Sequence, residues 1–131
     1  MKKGYDMWQA YSNSKLANVV FTKELSRRLL GTAVTTNAVY PGLVRTRWSR
    51  DTGVGGKVFA AFLAPFSKSA RRGARPVVKA ASDPSLERVS GQYFESLKVA
   101  KVVPVAEDQE LATRLWDESV RLTKPPKPPS P

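Results

Sequence analysis

Apolar positions recur near the start of the chain at the spacing of an α-helix. Asp6, followed three residues later by Gln9, has the spacing of an N-terminal capping box, and Gly31 is a typical C-terminal stop. The pattern therefore predicts a helix over residues 7–30. Its apolar set is wider than one narrow stripe, which predicts a helix covered on two sides. The set comprises Leu16, Ala17, Val19, Val20, Phe21, Leu25 and Leu29.

Further elements follow from the same kind of pattern. Residues 32–40 are rich in β-branched side chains and stop at Pro41, which favours an extended residue before it, so this stretch is predicted to be a strand. Residues 69–81 are predicted to form a helix that ends before Asp83, although Gly73 and Pro76 weaken its first half. Residues 108–122 show helical apolar spacing through Leu111, Leu115 and Trp116.

The composition indicates one globular domain with a basic surface. The chain has 131 residues, of which 41% are hydrophobic and 25% charged, and 22 Lys and Arg face 11 Asp and Glu for a net charge of +11. Such a surplus favours nucleic acid, anionic membranes or phosphate-bearing ligands. The positive charge is divided among separate clusters, and no nucleic-acid-binding motif accompanies it. We therefore expect solvated basic faces and no nucleic-acid partner.

Cysteine usage, apolar runs and the C-terminus set further bounds. The absence of cysteine excludes a disulfide framework and fits a reducing compartment. No run approaches the ~20 apolar residues that cross a bilayer, and the first residues lack the core of a signal peptide. Residues 124–131 are proline-rich and are expected to form a disordered extended tail, which contains the P-x-x-P pattern of SH3-domain ligands. Residues 1–123 would then form the domain.

Tyr11 and Lys15 are the candidate catalytic residues. Residues four apart lie on the same face of a helix, so their side chains can act together. A phenol ordinarily titrates near ~10, and a neighbouring ammonium favours its ionised form. Because the chain has no histidine and no cysteine, Ser-His-Asp triads, thiol nucleophiles and the usual zinc sets are excluded, and no metal site is expected. A half-buried tyrosine beside a solvated lysine is the alternative interpretation.

Pro41 and Gly42 mark a second candidate region. They turn the backbone at the carboxyl end of the predicted strand, which is where ligands bind in open α/β sheets. An ordinary Pro-Gly turn is the alternative interpretation.

Two motifs in the correct order resemble a known family. Y-S-N-S-K-L-A-N at residues 11–18 and P-G-L-V-R-T at residues 41–46, with the helix and strand between them, resemble the C-terminal half of short-chain dehydrogenases/reductases, most closely the retinol-dehydrogenase branch. The resemblance extends from Ala10 to Thr123. It implies an α/β fold, the C-terminal part of a Rossmann-like doubly wound parallel sheet, with residues 91–94 as the last strand and the N-terminal dinucleotide-binding half missing.

The resemblance also implies roles for particular residues. Tyr11 would be the general acid/base, and Lys15 would assist its ionisation while holding the nicotinamide ribose. Cofactor contacts would further come from the Pro-Gly segment, with Val44 offering backbone groups and Thr46 its hydroxyl; the implied cofactor-binding set is Tyr11, Lys15, Pro41, Gly42, Val44 and Thr46. The branch commonly has histidine before this proline, whereas this chain has Tyr40.

The implied reaction is hydride transfer between NADP(H) or NAD(H) and a lipophilic alcohol, aldehyde or ketone, with NADP favoured on family grounds alone. The family's catalytic serine and glycine-rich loop lie further upstream than this chain reaches. We therefore expect the chain to be a truncated portion that is inactive alone and binds dinucleotide poorly or not at all, and that needs a homo-oligomer or the missing half as a partner. Residues 48–66 would be a substrate lid with an apolar run that a membrane surface could contact or that could simply fill core. An intracellular location, cytoplasmic or membrane-associated, is implied.

A second interpretation belongs to a different class. The chain would be a non-catalytic interaction protein that binds a full-length relative through its long helix, and other partners through its basic surface or tail. For the long helix itself, the resemblance implies packing on the sheet and against a second subunit, and a central core helix is the alternative interpretation.

Overall fold

The computed structural model describes residue 4 and residues 6–44, 67–96 and 98–123, to which every structural statement below refers. Thr46, the proposed lid at 48–66 and the proline-rich tail at 124–131 lie outside these residues. The helices are α1 (Met7–Arg28), α2 (Ala70–Ser82) and α3 (Gln109–Thr123), and the strands are β1 (Ala38–Tyr40), β2 (Tyr93–Glu95) and β3 (Lys98–Val99). Single turns of 3₁₀-helix span Pro84–Leu86 and Pro104–Glu107.

The chain divides into two compact units, each of which we describe by itself. The first comprises Met1–Ala38, Val89–Gln92 and Lys101–Pro131, and the second comprises Val39–Arg88 and Tyr93–Ala100. Helices α1 and α3 therefore belong to the first unit, and helix α2 and strands β2 and β3 belong to the second.

Helix α1 begins where the sequence predicts and ends two residues earlier. The Asp6 carboxylate accepts hydrogen bonds from the Trp8 and Gln9 amides at 2.8 and 3.3 Å, which satisfies two free donors of the first turn. The Gln9 side chain donates to Asn13 instead of returning to the cap, so only one half of the capping box forms. Arg28 ends the helix, and Gly31 adopts a φ of +85°, which suits a glycine beyond a helix end.

The core of the first unit lies where α1 packs on α3 and on the 3₁₀ turn before it. Val20, Ala106 and Ala112 are buried, and partly buried neighbours close around them. The Phe21 and Trp116 rings stack with centroids 5.1 Å apart, and Lys23 forms an ion pair with Glu107 at 3.0 Å. The neighbours of the buried cluster are Leu16, Val19, Val102, Leu111 and Leu115.

Helix α1 is covered over only part of its length within the described residues. From Met7 to Lys15 each residue except Ala10 is exposed, whereas Val20 and Glu24 further along are buried. The prediction of a helix covered on two sides thus fits the second half and not the first.

The strand predicted over residues 32–40 is much shorter in the structure. Before Ala38 the pairing is irregular: the Gly91 amide donates to the Thr36 carbonyl at 2.7 Å, but side chains make the neighbouring bonds. The Asn37 side-chain amide donates to the Val89 carbonyl at 2.8 Å, and its oxygen accepts from the Gln92 backbone amide at 3.0 Å. The Thr36 amide likewise donates to the Ser90 hydroxyl at 3.1 Å. These bonds satisfy the backbone without regular strand pairing, which β-propensity alone could not indicate.

The three strands form one sheet in the order β1-β2-β3. Strands β2 and β3 pair antiparallel, with Phe94 opposite Val99 and Glu95 opposite Lys98. The sheet is therefore mixed, and the antiparallel pairing of β2 with β3 departs from the parallel sheet that the resemblance implies. The cause is a tight turn after Glu95, where Ser96 adopts a φ of +61° and reverses the chain. The α/β character itself is as expected and fits a Rossmann-like arrangement.

Helix α2 runs unbroken through Gly73 and Pro76. Ser69 caps its first turn by accepting from the Arg72 amide, and both the glycine and the proline are buried. These two residues, which weakened the sequence prediction, therefore occupy the packed side of the helix. Among the described helices, none is both long and apolar enough to cross a membrane.

Candidate active site

Tyr11 and Lys15 lie together on α1, as their spacing predicts. The Lys15 ammonium sits over the Tyr11 ring, with Nζ 5.2 Å from the ring centroid, which is the geometry of a cation–π contact. Both side chains are exposed, Tyr11 to 58%. The Ser14 hydroxyl donates to the Tyr11 backbone carbonyl at 2.7 Å and not to the Tyr11 phenol.

The functional atoms of this pair are available to a ligand. Within the part of the chain that the structure describes, neither the Tyr11 hydroxyl nor the Lys15 ammonium hydrogen-bonds to a protein group. An exposed phenol can donate or accept one proton, and an ammonium offers three donors. Such a donor set fits a sugar diol together with a carbonyl or hydroxyl oxygen, which is the combination that a nicotinamide ribose and an alcohol substrate would present.

The Pro-Gly segment belongs to the second unit, and several bonds anchor it there. Its start is held by the Ser96 amide, which donates to the Tyr40 carbonyl at 3.1 Å, and its end by the Lys68 amide, which donates to the Leu43 carbonyl at 2.7 Å. Val44 and Lys68 form an isolated parallel bridge. Gly42 adopts a φ of +83°, which other L-residues rarely adopt. Protein bonds on both sides therefore fix the shape of this turn.

Lys68 supports this turn in a way that sequence inspection missed. Its ammonium donates to the Ser96 hydroxyl at 3.2 Å and lies 3.0 Å from where a Cβ on Gly42 would stand. A side chain at position 42 would thus meet the lysine as well as an unfavourable φ. No local signal marks Lys68 or Ser96, because the contacts join residues 26 or more positions apart in the chain.

The Val44 side chain packs closely against α2. A Cβ added to Gly73 on α2 would lie 2.4 Å from the Val44 Cγ2 atom, so the helix backbone approaches this valine as closely as only glycine permits. Because the valine side chain packs against α2, any contact that Val44 makes with a ligand would come from its backbone.

Other described groups add little proton chemistry to these two regions. Burial raises the pKa of the Tyr93 phenol, and the nearby Glu95 and Tyr40 raise it further, so Tyr93 stays neutral near pH 7. No cluster of three potential metal ligands occurs among the described residues.

Comparison with known proteins agrees with the motifs. Residues 1–54 match the family described as short chain dehydrogenase. Mouse retinol dehydrogenase 13 is 50% identical over 127 residues, covering 93% of this chain, and human retinol dehydrogenase 13 is 48% identical over 123 residues, covering 90%. Human retinol dehydrogenase 12 is 44% identical over 121 residues, covering 92%.

These matches place the chain in the short-chain dehydrogenase/reductase family. Within that family it is retinol-dehydrogenase-like, as the motifs at residues 11–18 and 41–46 predict. The chain spans only 37 to 38% of the length of these three curated relatives.

Proposed function

We propose that this chain provides the proton-transfer pair and the nicotinamide end of an NAD(P)-dependent oxidoreductase that acts on a lipophilic alcohol, aldehyde or ketone. The observation that carries the proposal is the Lys15 ammonium over the ring of Tyr11, with the functional atoms of both free of protein partners among the described residues. Retinol dehydrogenases at 44 to 50% identity support the class of substrate. Retinoid is one candidate among lipophilic carbonyl compounds.

The roles of the residues follow from their chemistry. Tyr11 would donate a proton to the carbonyl oxygen during reduction, or accept one from the hydroxyl during oxidation. Lys15 would offer charged donors to the ribose hydroxyls. Pro41, Gly42, Val44 and Thr46 would hold the carboxamide end. The bound nicotinamide supplies the hydride chemistry.

NADP(H) is our preferred cofactor over NAD(H), on family resemblance. Tyr11, Lys15 and the Pro-Gly segment would contact parts that both cofactors share, so the preference needs a direct measurement. Binding of NADPH and NADH should be compared side by side on the same preparation.

Cofactor titration tests the proposal. The purified chain is titrated with NADPH and with NADH while the fluorescence of Trp8, Trp48 and Trp116 is followed. Saturable binding that a Tyr11→Phe, Lys15→Ala double variant weakens would support the proposal. Lys101→Ala is the matched control, because Lys101 is also exposed and lies outside both motifs.

The same titration can overturn the proposal. A folded chain, verified by circular dichroism, that shows no saturable signal at millimolar cofactor would contradict it for this chain. Equal weakening by the control variant would also contradict it, because the effect would then reflect surface charge alone.

A second candidate function is favoured by the exposed start of α1. Met7 and Trp8 are 61% and 65% exposed, next to the exposed Tyr11. Apolar side chains of this size at one helix end suit burial against another protein. As a non-catalytic interaction protein, the chain would bind a full-length retinol-dehydrogenase-like relative through this end. Light scattering of the mixed proteins, with Trp8→Ser as the variant, would show a complex that the substitution weakens.

A further inference from the structure

Helix α2 carries a line of cations on the side away from its packed face. Gly73 and Pro76 define the buried side. At 100° per residue, Arg71 and Arg75 fall on the opposite side, and Lys79, one turn further on, lies towards its flank. All three are exposed. The line extends about 12 Å along the helix axis. Arg72, also exposed, lies beside it.

This line of cations is scarcely neutralised. The Lys79 ammonium lies 3.7 Å from the Asp83 carboxylate at the helix end, a long and exposed ion pair. Among the described residues, no carboxylate pairs with Arg71, Arg72 or Arg75. Helix α2 itself contains no acidic residue, and the whole chain has a net charge of +11. Four adjacent cations of one sign create a local field that attracts an extended anion.

Apolar side chains accompany the cations. Val77 and Val78 are 49% and 59% exposed, and Val78 lies next to Arg71 and Arg75 on the helix surface. A solvated face that bound only phosphates would gain nothing from an exposed valine. The interface of a bilayer, by contrast, accepts guanidinium groups at the lipid phosphates and short apolar side chains just below them.

We propose that the outer face of α2, formed by Arg71, Arg72, Arg75, Val78 and Lys79, docks on an anionic phospholipid surface. The inference goes beyond the proposed oxidoreductase function and does not depend on it. Attraction between cations and anionic headgroups supplies most of the binding, so it is reversible and falls steeply with ionic strength.

Vesicle co-sedimentation with the full 131-residue chain tests the proposal. Vesicles of phosphatidylcholine alone are compared with vesicles that also contain phosphatidylserine, at low and at physiological salt. We expect binding only to the anionic vesicles. An Arg71→Gln, Arg75→Gln, Lys79→Gln variant should bind about 100-fold more weakly at low salt, since each cation near the surface contributes about a factor of five.

A matched variant separates this face from net charge. Lys98→Gln, Lys101→Gln, Arg114→Gln removes the same three charges from exposed positions outside α2. It should retain most of the vesicle binding. Equal losses in the two triple variants would overturn the assignment to α2, as would absence of binding to anionic vesicles. Circular dichroism verifies that both variants fold.

Val78→Ser distinguishes a bilayer from a soluble polyanion. We expect it to weaken vesicle binding while leaving binding to heparin unchanged. Vesicle binding that is insensitive to Val78 and weaker than binding to heparin or RNA would overturn the lipid assignment, because the face would then recognise charge alone.

Discussion

At the scale of single residues, Glu24 shows how a charged side chain can be buried on a basic protein. It lies on α1 with only 4% of its surface exposed and accepts hydrogen bonds from Arg27 and from Arg28, the latter at 2.6 Å. The two guanidinium groups remain partly exposed, so they can be hydrated while they satisfy the carboxylate. Two charge-assisted bonds offset the desolvation of the carboxylate.

Glu24→Gln should lower the free energy of unfolding by about 1 to 3 kcal/mol, because it removes the charged acceptor of both arginines at a buried position. Denaturant unfolding followed by circular dichroism measures the loss. Glu118→Gln is the matched control, since Glu118 pairs with Arg121 one turn away but at the surface. An equal loss of unfolding free energy in Glu118→Gln would show that burial of Glu24 is not the reason for the effect.

The close contact between Gly73 and Val44 reverses the usual preference for alanine over glycine inside a helix. Gly→Ala inside a helix usually stabilises by about 0.5 to 1 kcal/mol. Here Gly73→Ala should instead destabilise by about 1 to 3 kcal/mol, because the new methyl group would stand 2.4 Å from Val44. Thermal and denaturant unfolding of the variant measure the sign.

The paired variant Val44→Ala, Gly73→Ala tests the cause. Removing the valine methyl groups makes room for the new Cβ, so the double variant should recover part of the stability that Gly73→Ala loses. A stabilised Gly73→Ala variant, or simple additivity of the two substitutions, would show that the close approach is not the reason for glycine at position 73.

At the scale of elements, α1 and α3 are joined through a three-membered stack. The rings of Phe21 and Trp116 are nearly parallel, at 17°, and the Arg28 guanidinium lies 4.4 Å from the centre of the tryptophan ring. The cation therefore covers the tryptophan ring and ties the end of α1 to α3. This stack extends the small buried core of Val20, Ala106 and Ala112 towards the surface.

A double-mutant cycle with Phe21→Leu and Trp116→Leu should give a coupling energy of about 0.5 to 1.5 kcal/mol, because each substitution removes the same ring contact. The cycle uses the free energies of unfolding of the wild type, both single variants and the double variant. Strict additivity would indicate that the rings contribute only through separately buried area.

The 3₁₀ turn that follows α2 begins with a pH-sensitive cap. The Asp83 carboxylate accepts from the Ser85 hydroxyl at 2.7 Å and from its amide at 3.0 Å, and these bonds, with a smaller effect of Lys79, hold the pKa of Asp83 below its ordinary value. A depressed pKa in the folded state stabilises the fold above the unfolded pKa, near ~3.9. That stability is lost as the pH falls through the folded pKa.

NMR titration of the Asp83 carboxyl should therefore give a midpoint below ~3.9, and Ser85→Ala should raise it towards the ordinary value. Substitution of Lys79 by Gln should move the midpoint less. A midpoint that Ser85→Ala leaves unchanged would contradict the assignment of the shift to this hydrogen bond.

At the scale of the whole molecule, the excess of positive charge affects stability as well as partners. With a net charge of +11, cations repel one another across the folded chain, and salt screens this repulsion at separations beyond ~10 Å at 0.1 M. Ion pairs such as Lys23–Glu107 also weaken with salt, but they are few and partly exposed among the described residues.

The thermal unfolding midpoint should therefore rise as sodium chloride is added from low to physiological concentration. Differential scanning calorimetry measures the midpoint at each concentration, with choline chloride as a control for ion identity. A midpoint that falls with salt would indicate that favourable ion pairs outweigh the repulsion.

Local signals in the sequence indicated most of the helical structure. The Asp6 cap, the Gly31 stop and the apolar spacing place α1, and similar patterns place α2 and α3 within one or two residues. Such signals act over a few residues, so the chain needs no distant partner to display them. The family, and the shared face of Tyr11 and Lys15, were likewise readable, since a motif and a helical repeat are both local. The catalytic and cofactor roles of the candidate residues stay predictions.

Only the tertiary structure decided the features that depend on distant pairs. Side-chain bonds from Asn37 shorten the first strand, a reversal at Ser96 makes the sheet mixed, and Lys68 supports the Pro-Gly turn. The contacts of Asn37 and Lys68 have no local signature, because they join residues 26 or more positions apart. The reversal at Ser96 is local, but it lacks the glycine, asparagine or proline that usually marks a tight turn. Sequence by itself determined where helices form and which family the motifs define; packing decided strand length, sheet direction and which cations remain exposed.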